Sequence, residues 1–418
     1  MSFARALYTL VLAAALPGIV VYLAKKRRLN RECWGYVPPP PSGDSPVVWV
    51  HAVSVGEAVA ADKIINLLHQ RGFRIVITHT TAAGGEMLRA RYGEYASICL
   101  LPLDFPGVAR RFINRTRPCM AVFMESEYWP NLQAAARNAG VVLFLANARL
   151  GKKSARSRAR LSKLMREMVS GFAAIAAQTR ADARRLQFFG ASPTIAGNLK
   201  FEREPDKHLS EKGAQWRQQY REDKKIIFIA GSRPGEESLL LNAMDDDFYT
   251  RFYVVIAPRH PERGEEIGAL LSRRGITFAR RADNTAPESA KAAVYIADTL
   301  GEMDAFYAFC DVAVIGGSFL PFGGQNPIEA MSAGAAAVIG PHAENYHSLV
   351  AESVRRNALQ QASDAADALH RAQKLADDEN ARQQQTQTAK DICARHRGAL
   401  KIHADIIERL SPVPREPS

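Results

Sequence analysis

PVVWVHAVSVGEAVAADKIINLLHQRG (46–72) joins an apolar run to an amphipathic one through a turn that holds a glycine and a carboxylate, Gly56 and Glu57. The first part is β-branched and aromatic, which is typical of a buried strand. The part after Glu57 repeats its apolar residues at helical spacing and ends in a glycine, as many helices do. The segment therefore predicts a strand, a tight turn and a helix, the repeating unit of a parallel sheet covered by helices.

The same alternation of strands and helices continues along the chain in two series, which a charged stretch from Glu202 to Lys225 separates. The first series holds VVWVHAV, RIVIT, ICLLP, MAVFM, VVLFLA and FAAIAA, and the second holds KIIFIAG, RFYVVIAP, AVYIA, DVAVIGG and AAAVIG. Because each series repeats the strand-and-helix unit, we predict an α/β protein with two Rossmann-like domains in tandem.

Length and composition agree with two domains and limit the class of partner. The chain has 418 residues, 47% of them hydrophobic. A chain of this length usually forms more than one hydrophobic core. A net charge of +12 favours anionic partners such as nucleic acid, acidic lipid or phosphorylated substrates. The five cysteines are scattered and form no CxxC pair, so they indicate neither a disulfide framework nor a zinc site. A reducing, cytoplasmic setting fits them best.

The N-terminus predicts a membrane anchor. LYTLVLAAALPGIVVYLA (7–24) is an uncharged apolar run followed at once by KKRR, and at about 1.5 Å per helical residue it is just long enough to cross the hydrocarbon core. Because the basic cluster follows the apolar run, the segment resembles an uncleaved anchor rather than a signal peptide. The positive-inside rule then places residues 25–28 and the rest of the chain in the cytoplasm. A helix that lies in the interface is the alternative, since Pro17 and Gly18 weaken a straight span.

Glu57 admits two interpretations. A carboxylate in the first turn of a helix stabilises the helix dipole by about 0.3–1 kcal/mol, and this alone would explain the residue. However, ligands of open parallel sheets bind beyond the carboxyl ends of the strands, and Gly56 allows a substrate to approach the backbone closely. In that position Glu57 would take a proton from an attacking hydroxyl.

The loop GGSFLPFGGQNPIEA (316–330) follows a strand of the second series. Asn326 and Pro327 are ordinary helix-start residues, so a well-capped helix is one interpretation. The other is a phosphate site at that helix, for which Glu329 would hold ribose hydroxyls. Four glycines of the loop favour the second interpretation: Gly316, Gly317, Gly323 and Gly324. Neither GxGxxG nor GxxxxGK[ST] occurs, so NAD and P-loop sites lack their fingerprint.

Three other segments that follow predicted strands carry charged residues, and each segment allows two interpretations. APRHPER (257–263) places Arg259 either in a surface salt bridge or against a phosphate or carboxylate. MESEYWPN (124–131) offers Glu125 and Glu127 either as part of an acceptor pocket or as a plain strand end. ARLGKKSARSRARLSKLMR (148–166) has eight basic and no acidic residues, typical of an exposed helix face or of contact with anionic lipid. It lacks aromatic residues for base stacking, so we expect no nucleic-acid partner.

Together, HAVSVGE, MESEYWPN, NARL, APRHPER, GGSFLPFGGQNPIE and GPHAENY resemble the Kdo transferases of Gram-negative bacteria, in order, from the anchor to about residue 350. The resemblance implies a GT-B fold, in which two Rossmann-like domains face each other across a cleft, with an N-terminal membrane-anchor helix. It implies inverting transfer of 3-deoxy-D-manno-oct-2-ulosonic acid (Kdo) from CMP-Kdo to a lipid A precursor, without a metal or another cofactor. It also implies a place at the cytoplasmic leaflet of the bacterial inner membrane.

The resemblance further implies site residues and boundaries. Glu57 is the expected general base. The expected donor-binding residues are Ser232, Arg259, Gly316, Gly317, Ser318, Gly324, Asn326 and Glu329, and the expected acceptor-binding residues are Ser54, Gly56, Glu125 and Arg149. The family commonly has histidine where this chain has Gln325, and GSRPGEES (231–238) departs from the frequent GSTHxGEE. We predict an anchor over 1–30, an acceptor domain over 31–205, a donor-nucleotide domain over 206–385 and a helical tail over 386–418 that packs across the domains.

Two other functions stay open from the residues. The chain could be another GT-B sugar-nucleotide enzyme, either a transferase or an epimerase that uses a UDP-sugar, which would bind UDP in preference to CMP. It could instead be a membrane-tethered protein that binds an anionic ligand, as its +12 charge would allow. Such a protein would bind with a steep salt dependence and form no product.

Overall fold

Alternating strands and helices build two separate sheets. The computed structural model describes residues 2–25, 28–53, 55–159, 161–220, 224–287 and 291–411. The chain divides into two compact units, Met1–Glu202 with Arg397–Ser418, and Arg203–His396.

The first unit begins with a long apolar helix and continues as a seven-stranded sheet with helices between the strands. Its elements up to the second unit are α1 (Phe3–Lys25), β1 (Val47–His51), α2 (Val55–Gln70), β2 (Arg74–His79), α3 (Ala82–Tyr92), β3 (Ala96–Leu100), α4 (Pro106–Thr116), β4 (Met120–Met124), α5 (Pro130–Asn138), β5 (Val142–Ala148), α6 (Lys152–Ala159), α7 (Ser162–Val169), β6 (Ala174–Ala177), α8 (Arg180–Gln187) and β7 (Thr194–Ile195). Helix α1 is long and apolar enough to cross a membrane, and Pro17 lies inside it without ending it.

The strand order of the first sheet is β3-β2-β1-β4-β5-β6-β7, and the strand pairs are parallel. Strands β1 and β4 are neighbours, with His51 opposite Phe123. The chain therefore reverses its direction of progress across the sheet between β1 and β4, and ligands of open parallel sheets bind at such switch points. The turn with Glu57 follows β1, and the MESEYWPN segment follows β4.

The second unit repeats the plan with a second seven-stranded sheet. Its elements are α9 (Lys207–Gln219), β8 (Lys225–Ser232), α10 (Glu236–Asn242), α11 (Asp246–Arg251), β9 (Phe252–Pro258), α12 (Gly264–Arg273), β10 (Phe278–Arg280), β11 (Val294–Ile296), α13 (Met303–Phe309), β12 (Val312–Ile315), α14 (Pro327–Ala333), β13 (Ala336–Ile339), α15 (His347–Arg355), β14 (Gln360–Gln361), α16 (Ala365–Asp377) and α17 (Glu379–His396). The order is β10-β11-β9-β8-β12-β13-β14, again with parallel pairs. The loops after β8, β9 and β12 thus leave the same edge of the sheet.

Helix α18 (Ala399–Leu410) returns to the first unit. Ala399, Ile406 and Ile407 are buried in the core on one face of the first sheet, and α18 packs against α2. His403 is fully buried, and its Nε2 accepts a hydrogen bond of 2.9 Å from the backbone N–H of Asn147. The tail is therefore divided, because α17 belongs to the second unit and α18 completes the first.

The α/β fold class predicted from the sequence is confirmed, and each apolar run named above forms a strand. Three strands were missed: β7, β10 and β14 have only two or three residues each. Such short edge strands contain no alternation or apolar run for a sequence pattern to detect, since neighbouring strands and turns impose them.

Candidate active site

Glu57 lies in the first turn of α2, at the switch point of the first sheet. Its side chain is half-buried, and Oε2 accepts a hydrogen bond of 2.7 Å from the backbone N–H of Val53. This bond turns the carboxylate back toward the carboxyl end of β1. Gly56 belongs to the same helical turn, whereas the predicted acceptor residue Ser54 lies outside the described residues.

Glu125 follows β4, the neighbour of β1, and is buried. Its Oε1 lies 2.8 Å from Nζ of Lys200 in an ion pair with little solvent exposure. Its backbone is left-handed, with φ +53°, a conformation that costs a non-glycine residue free energy and often occurs at functional sites. The backbone carbonyl of Glu125 accepts the N–H of Arg149 at 3.2 Å. The structure therefore brings Glu125 and Arg149, both predicted from the sequence, together.

Glu127 is held by aromatic and imidazole groups. Its Oε2 accepts a hydrogen bond of 2.8 Å from Nε1 of Trp129 and lies 3.3 Å from Nε2 of His51. His51 is fully buried, and its Nδ1 lies 2.9 Å from Oγ1 of Thr78. Thr78 in turn accepts the indole N–H of Trp49 at 2.8 Å. A continuous hydrogen-bond chain thus fixes the loop after β4 to strands β1 and β2.

The surroundings of Glu57 raise its pKa to about 8. Burial is the largest cause, and the negative charges of Glu125 and Glu127 add to it, while the Val53 N–H and the charge of Lys200 act in the opposite direction. A carboxylate with such a pKa binds a proton more strongly than an ordinary glutamate at neutral pH. This property suits a general base that receives a proton during bond formation.

Sequence reasoning missed two members of this cluster, His51 and Lys200. His51 stands at the end of β1 in the quoted segment, but nothing local to it indicates a partner in the loop after β4. Lys200 belongs to GNLKFE (197–202), which follows the short strand β7. An inspection of polar residues after every strand would have included it if β7 had been recognised.

In the second unit, Glu236 organises the predicted donor turn. This glutamate at the start of α10 is fully buried. Its carboxylate accepts backbone N–H groups from Gly317 at 2.6 Å, Phe319 at 2.8 Å and Arg233 at 2.8 Å. One side chain therefore ties the loop after β8 to the loop after β12.

The glycines of the donor turn have structural reasons of their own. A Cβ on Gly316 would lie 2.7 Å from the carbonyl oxygen of Gly231, so only glycine lets β12 end this close to β8. Gly317 and Gly324 have positive φ values of 66° and 84°, and a Cβ on Gly317 would meet the side chain of Gln325 at about 3 Å. Gly316 is therefore pressed against the protein's own backbone. A donor role for these three glycines stays a prediction.

The two predicted donor serines are buried and bonded inside the unit. Ser232 donates its hydroxyl to Glu237 at 2.6 Å, and Arg263 contacts both oxygens of the same carboxylate. Ser318 donates to the carbonyl of Ile315 at 2.5 Å and accepts the N–H of Gly340 at 2.8 Å. These hydroxyls hold strand ends together in this structure, and their contact with a donor stays a prediction.

Asn326 and Glu329 lie together at the start of α14. Asn326 accepts the N–H of Ile328 at 3.2 Å, which is the helix cap that the sequence predicts, and its amide lies 3.4 Å from Glu329. Burial is the main cause that raises the pKa of Glu329, against the lowering effect of the positive charge of Arg203. The carboxylate is thus close to both a neutral amide and a cation.

Two arginines at neighbouring strand ends form no close ion pair among the described residues. Arg233 follows β8 and Arg259 follows β9, both are half-buried, and neither guanidinium forms an ion pair with a carboxylate in the part of the chain that the structure describes. Burial and the charge of Arg259 lower the pKa of Arg233. Glu236 attracts Arg233, and Glu329 attracts Arg259, but only at longer range than an ion pair. Two arginines that repel each other and form no close ion pair are suited to an anion such as a phosphate.

Comparison with known proteins agrees with this geometry. A family model described as 3-Deoxy-D-manno-octulosonic-acid transferase (kdotransferase) matches residues 27–203. A 3-deoxy-D-manno-octulosonic acid transferase of Bordetella pertussis is 35% identical over 97% of this chain and 99% of its own length. The protein with the same name from Haemophilus influenzae is 30% identical over 97% of this chain and 98% of its own.

Among solved structures, a glycosyltransferase from Rickettsia africae matches 88% of this chain and 99% of its own with a TM-score of 0.59, at 10% sequence identity. At that identity the likeness concerns the fold alone. With two parallel Rossmann-like sheets and these neighbours, the protein is a glycosyltransferase of the GT-B class. More narrowly, the chain belongs to the 3-deoxy-D-manno-octulosonic acid (Kdo) transferase family.

Proposed function

We propose that this protein transfers Kdo from CMP-Kdo to a lipid A precursor with inversion at the anomeric carbon, and that Glu57 is the general base. Family membership supports the sugar, and the donor and acceptor follow from what the family's activity requires. The observation that carries the assignment of the base is the pKa of Glu57, about 8, at the switch point of the first sheet.

In the proposed step, a sugar hydroxyl of the acceptor gives its proton to the Glu57 carboxylate. The hydroxyl oxygen attacks the anomeric carbon of Kdo while the bond between that carbon and the phosphate oxygen breaks, and CMP leaves with the bonding electron pair. Attack opposite the leaving group inverts the anomeric configuration. The Val53 N–H keeps the Glu57 carboxylate in a fixed orientation before the acceptor arrives.

The second unit would hold the donor. Arg259, with Arg233 beside it, is the group best suited to the phosphate and to the Kdo carboxylate, because its guanidinium forms no close ion pair among the described residues. Asn326 and Glu329 would bind the ribose, and Ser232, Gly316, Gly317, Ser318 and Gly324 would shape the nucleotide turn. In the first unit, Glu125 and Arg149, together with Ser54 and Gly56, would contact the acceptor sugar.

The acceptor is a lipid, so we place the protein at the cytoplasmic leaflet of the inner membrane. Helix α1 and the basic segment 148–166 support this placement. Exposed cations there include Arg156, Lys163 and Arg166, and basic side chains near an anionic membrane surface gain on the order of 1 kcal/mol each.

The test is a transfer assay on the full-length protein with CMP-Kdo and a tetraacylated lipid A precursor, with the products weighed by mass spectrometry. We expect Glu57→Gln to lower turnover about 10²- to 10⁴-fold, because it removes the proton acceptor, while CMP still raises the melting temperature as in the unmodified protein. Glu86→Gln, which changes an exposed glutamate of α3, is the matched control and should leave turnover unchanged. Near-normal turnover of Glu57→Gln would reject the assigned base.

The same preparation separates the alternatives. Stabilisation by UDP and not by CMP would support a UDP-sugar enzyme, and binding of anionic lipid without any sugar product would support a tethered binding protein.

We also expect turnover to survive EDTA. The proposed leaving group is stabilised by arginine rather than by a metal ion. Dialysis against EDTA followed by the same transfer assay, with and without added Mg²⁺, checks this expectation. A loss of turnover that Mg²⁺ restores would contradict it.

A further inference from the structure

The N-terminal turns of α1 are docked on the first unit by polar contacts. The hydroxyl of Ser2 donates a hydrogen bond to Glu167 of α7, and Nη1 of Arg5 lies 3.4 Å from the same carboxylate. The side-chain amide of Asn131 in α5 donates to Oγ1 of Thr9 at 3.0 Å. These polar contacts fix the N-terminal end of α1 on the surface formed by α5 and α7.

A buried carboxylate deepens this contact. Asp104 is almost completely buried and accepts the N–H groups of Asn131 at 3.1 Å and Leu132 at 2.7 Å. Tyr8 of α1 donates its hydroxyl to the same carboxylate, and Arg5 adds a favourable charge. Since a buried carboxylate that loses donors is costly, these contacts hold the beginning of α1 firmly to the beginning of α5.

The other end of α1 returns to the same unit within a few residues. The thiol of Cys33, which is buried in the unit, donates to the carbonyl of Arg28 at 3.3 Å. Glu32 accepts the backbone N–H of Leu100, at the end of β3, at 2.8 Å. Both ends of the helix are thus fixed to one body.

The exposure of α1 differs between two faces along its length. The half-buried residues recur at helical spacing, and so do the large exposed ones, on the opposite face. The half-buried face contains Arg5, Thr9, Leu12, Leu16, Ile19 and Leu23, and the exposed face contains Phe3, Leu7, Leu10, Ala14, Pro17 and Val21. The half-buried face continues the side of α1 on which Arg5 and Thr9 contact the unit, and the opposite face is apolar up to Lys25.

The neighbouring helices continue this surface. Helix α7 packs against α1, and the turn before it presents Leu161 with 61% of its surface exposed. Lys163 and Arg166 of α7 are exposed as well. An apolar face bordered by cations is the pattern of a surface that enters the headgroup region of an anionic leaflet.

We propose that α1 lies in the plane of the cytoplasmic leaflet, docked on the first unit, instead of crossing the bilayer. A crossing helix would place Ser2 to Thr9 about 30 Å away, beyond the hydrocarbon core, and would break every contact with Glu167, Asp104 and Asn131. In the plane, all of them persist while the Phe3, Leu7, Leu10 and Val21 face meets lipid. The inference rests on the membrane attachment in the proposed function.

The docking of α1 would also fix the distance between the membrane surface and the loop with Glu125 and Glu127. Asp104 joins α1 to the first residues of α5, and the loop with Glu125 and Glu127 ends where α5 begins. The leaflet, α1 and the loop after β4 therefore form one connected body. A sugar headgroup would be met at a fixed distance from the acyl chains.

Cysteine chemistry on the membrane-bound full-length protein tests this orientation. Ser2→Cys combined with Glu167→Cys should join under a short bis-maleimide, and the tryptic peptides should show the link by mass spectrometry. Each single variant and the pair Ser2→Cys with Glu86→Cys are controls that should give no such link. In sealed vesicles, a membrane-impermeant maleimide should label Ser2→Cys when the cytoplasmic face is outward and not in right-side-out vesicles.

Labelling of Ser2→Cys from the outer face, or absence of the cross-link in active membrane-bound protein, would overturn the in-plane orientation and leave the enzymatic proposal intact. A chain that does not float with vesicles at all would overturn membrane attachment itself. Loss of transfer by Glu57→Gln is independent of either result, so the two proposals fail separately.

Discussion

At the scale of single residues, the central feature is a glutamate whose neighbours oppose its ionisation. Glu125 and Glu127 raise the pKa of Glu57, and Lys200, which pairs with Glu125, restrains the rise. The carboxylate is mostly protonated at pH 7 and mostly ionised above pH 8. Only the ionised form of Glu57 can accept a proton. A higher pKa makes that form a stronger base but lowers the fraction of molecules in which Glu57 is ionised at neutral pH.

Turnover should therefore rise with pH and level off above about pH 8, the pKa of Glu57. Glu125→Gln removes a negative charge that raises the pKa of Glu57. The pKa of Glu57 should therefore fall, and the midpoint should move to lower pH.

The pH dependence of kcat/KM for both proteins checks this prediction, with Glu86→Gln as the control of equal charge. A midpoint for Glu125→Gln that is unchanged or higher would contradict the coupling between the two carboxylates.

Sequence reasoning selected Glu57, Glu125 and Arg149 because each lies in a segment that follows a recognisable strand, and their roles stay predictions. It could not find their partners. Lys200 lies 75 positions after Glu125 in the sequence, and only the folding of β7 beside β6 brings it back to the site. His51 sits in a strand where a buried position predicts an apolar residue, so its role appears only when Thr78 and Glu127 are seen around it.

At the scale of elements, the end of β12 shows why a glycine-rich loop is ambiguous evidence. Glycines permit a close ligand, but here they also permit close protein backbone, because Gly316 touches Gly231 and Ser232. A sequence cannot separate these causes, since each requires the absence of a Cβ. Glu236 adds a third constraint by collecting N–H groups from both loops.

Gly316→Ala should destabilise the second unit by about 1–3 kcal/mol, because its Cβ would overlap backbone atoms that have no room to move. Thermal unfolding of the full-length protein with and without CMP measures the effect. Gly107→Ala in α4 is the matched control, because a Cβ there meets nothing within 4 Å and alanine favours a helix. Equal melting temperatures for the two variants would refute the close packing.

At the scale of the whole molecule, the net charge of +12 and the apolar helix α1 both favour the proposed partner, an anionic membrane. We expect binding to vesicles to strengthen with anionic lipid and to weaken as salt screens the basic side chains. Lys163→Gln with Arg166→Gln should weaken that binding and flatten its salt dependence, since each cation near the surface contributes on the order of 1 kcal/mol.

Vesicle flotation at several salt concentrations measures the effect. Lys207→Gln with Lys225→Gln, an equal change of charge in the second unit, should bind as the unmodified protein does. If both double variants lose the same amount of vesicle binding, the attraction to the membrane depends on net charge alone and not on the basic segment.

Helix α18 has a consequence for how the protein is made. Ile406, Ile407 and His403 complete the core of the unit that carries Glu57, and they are synthesised after the whole second unit. The second unit is continuous in the chain. It can therefore fold before α18 is available to pack against α2 in the first unit. We therefore expect the second unit to fold first during synthesis, and a chain that stops before α18 to lack part of the core beneath the helix that carries Glu57.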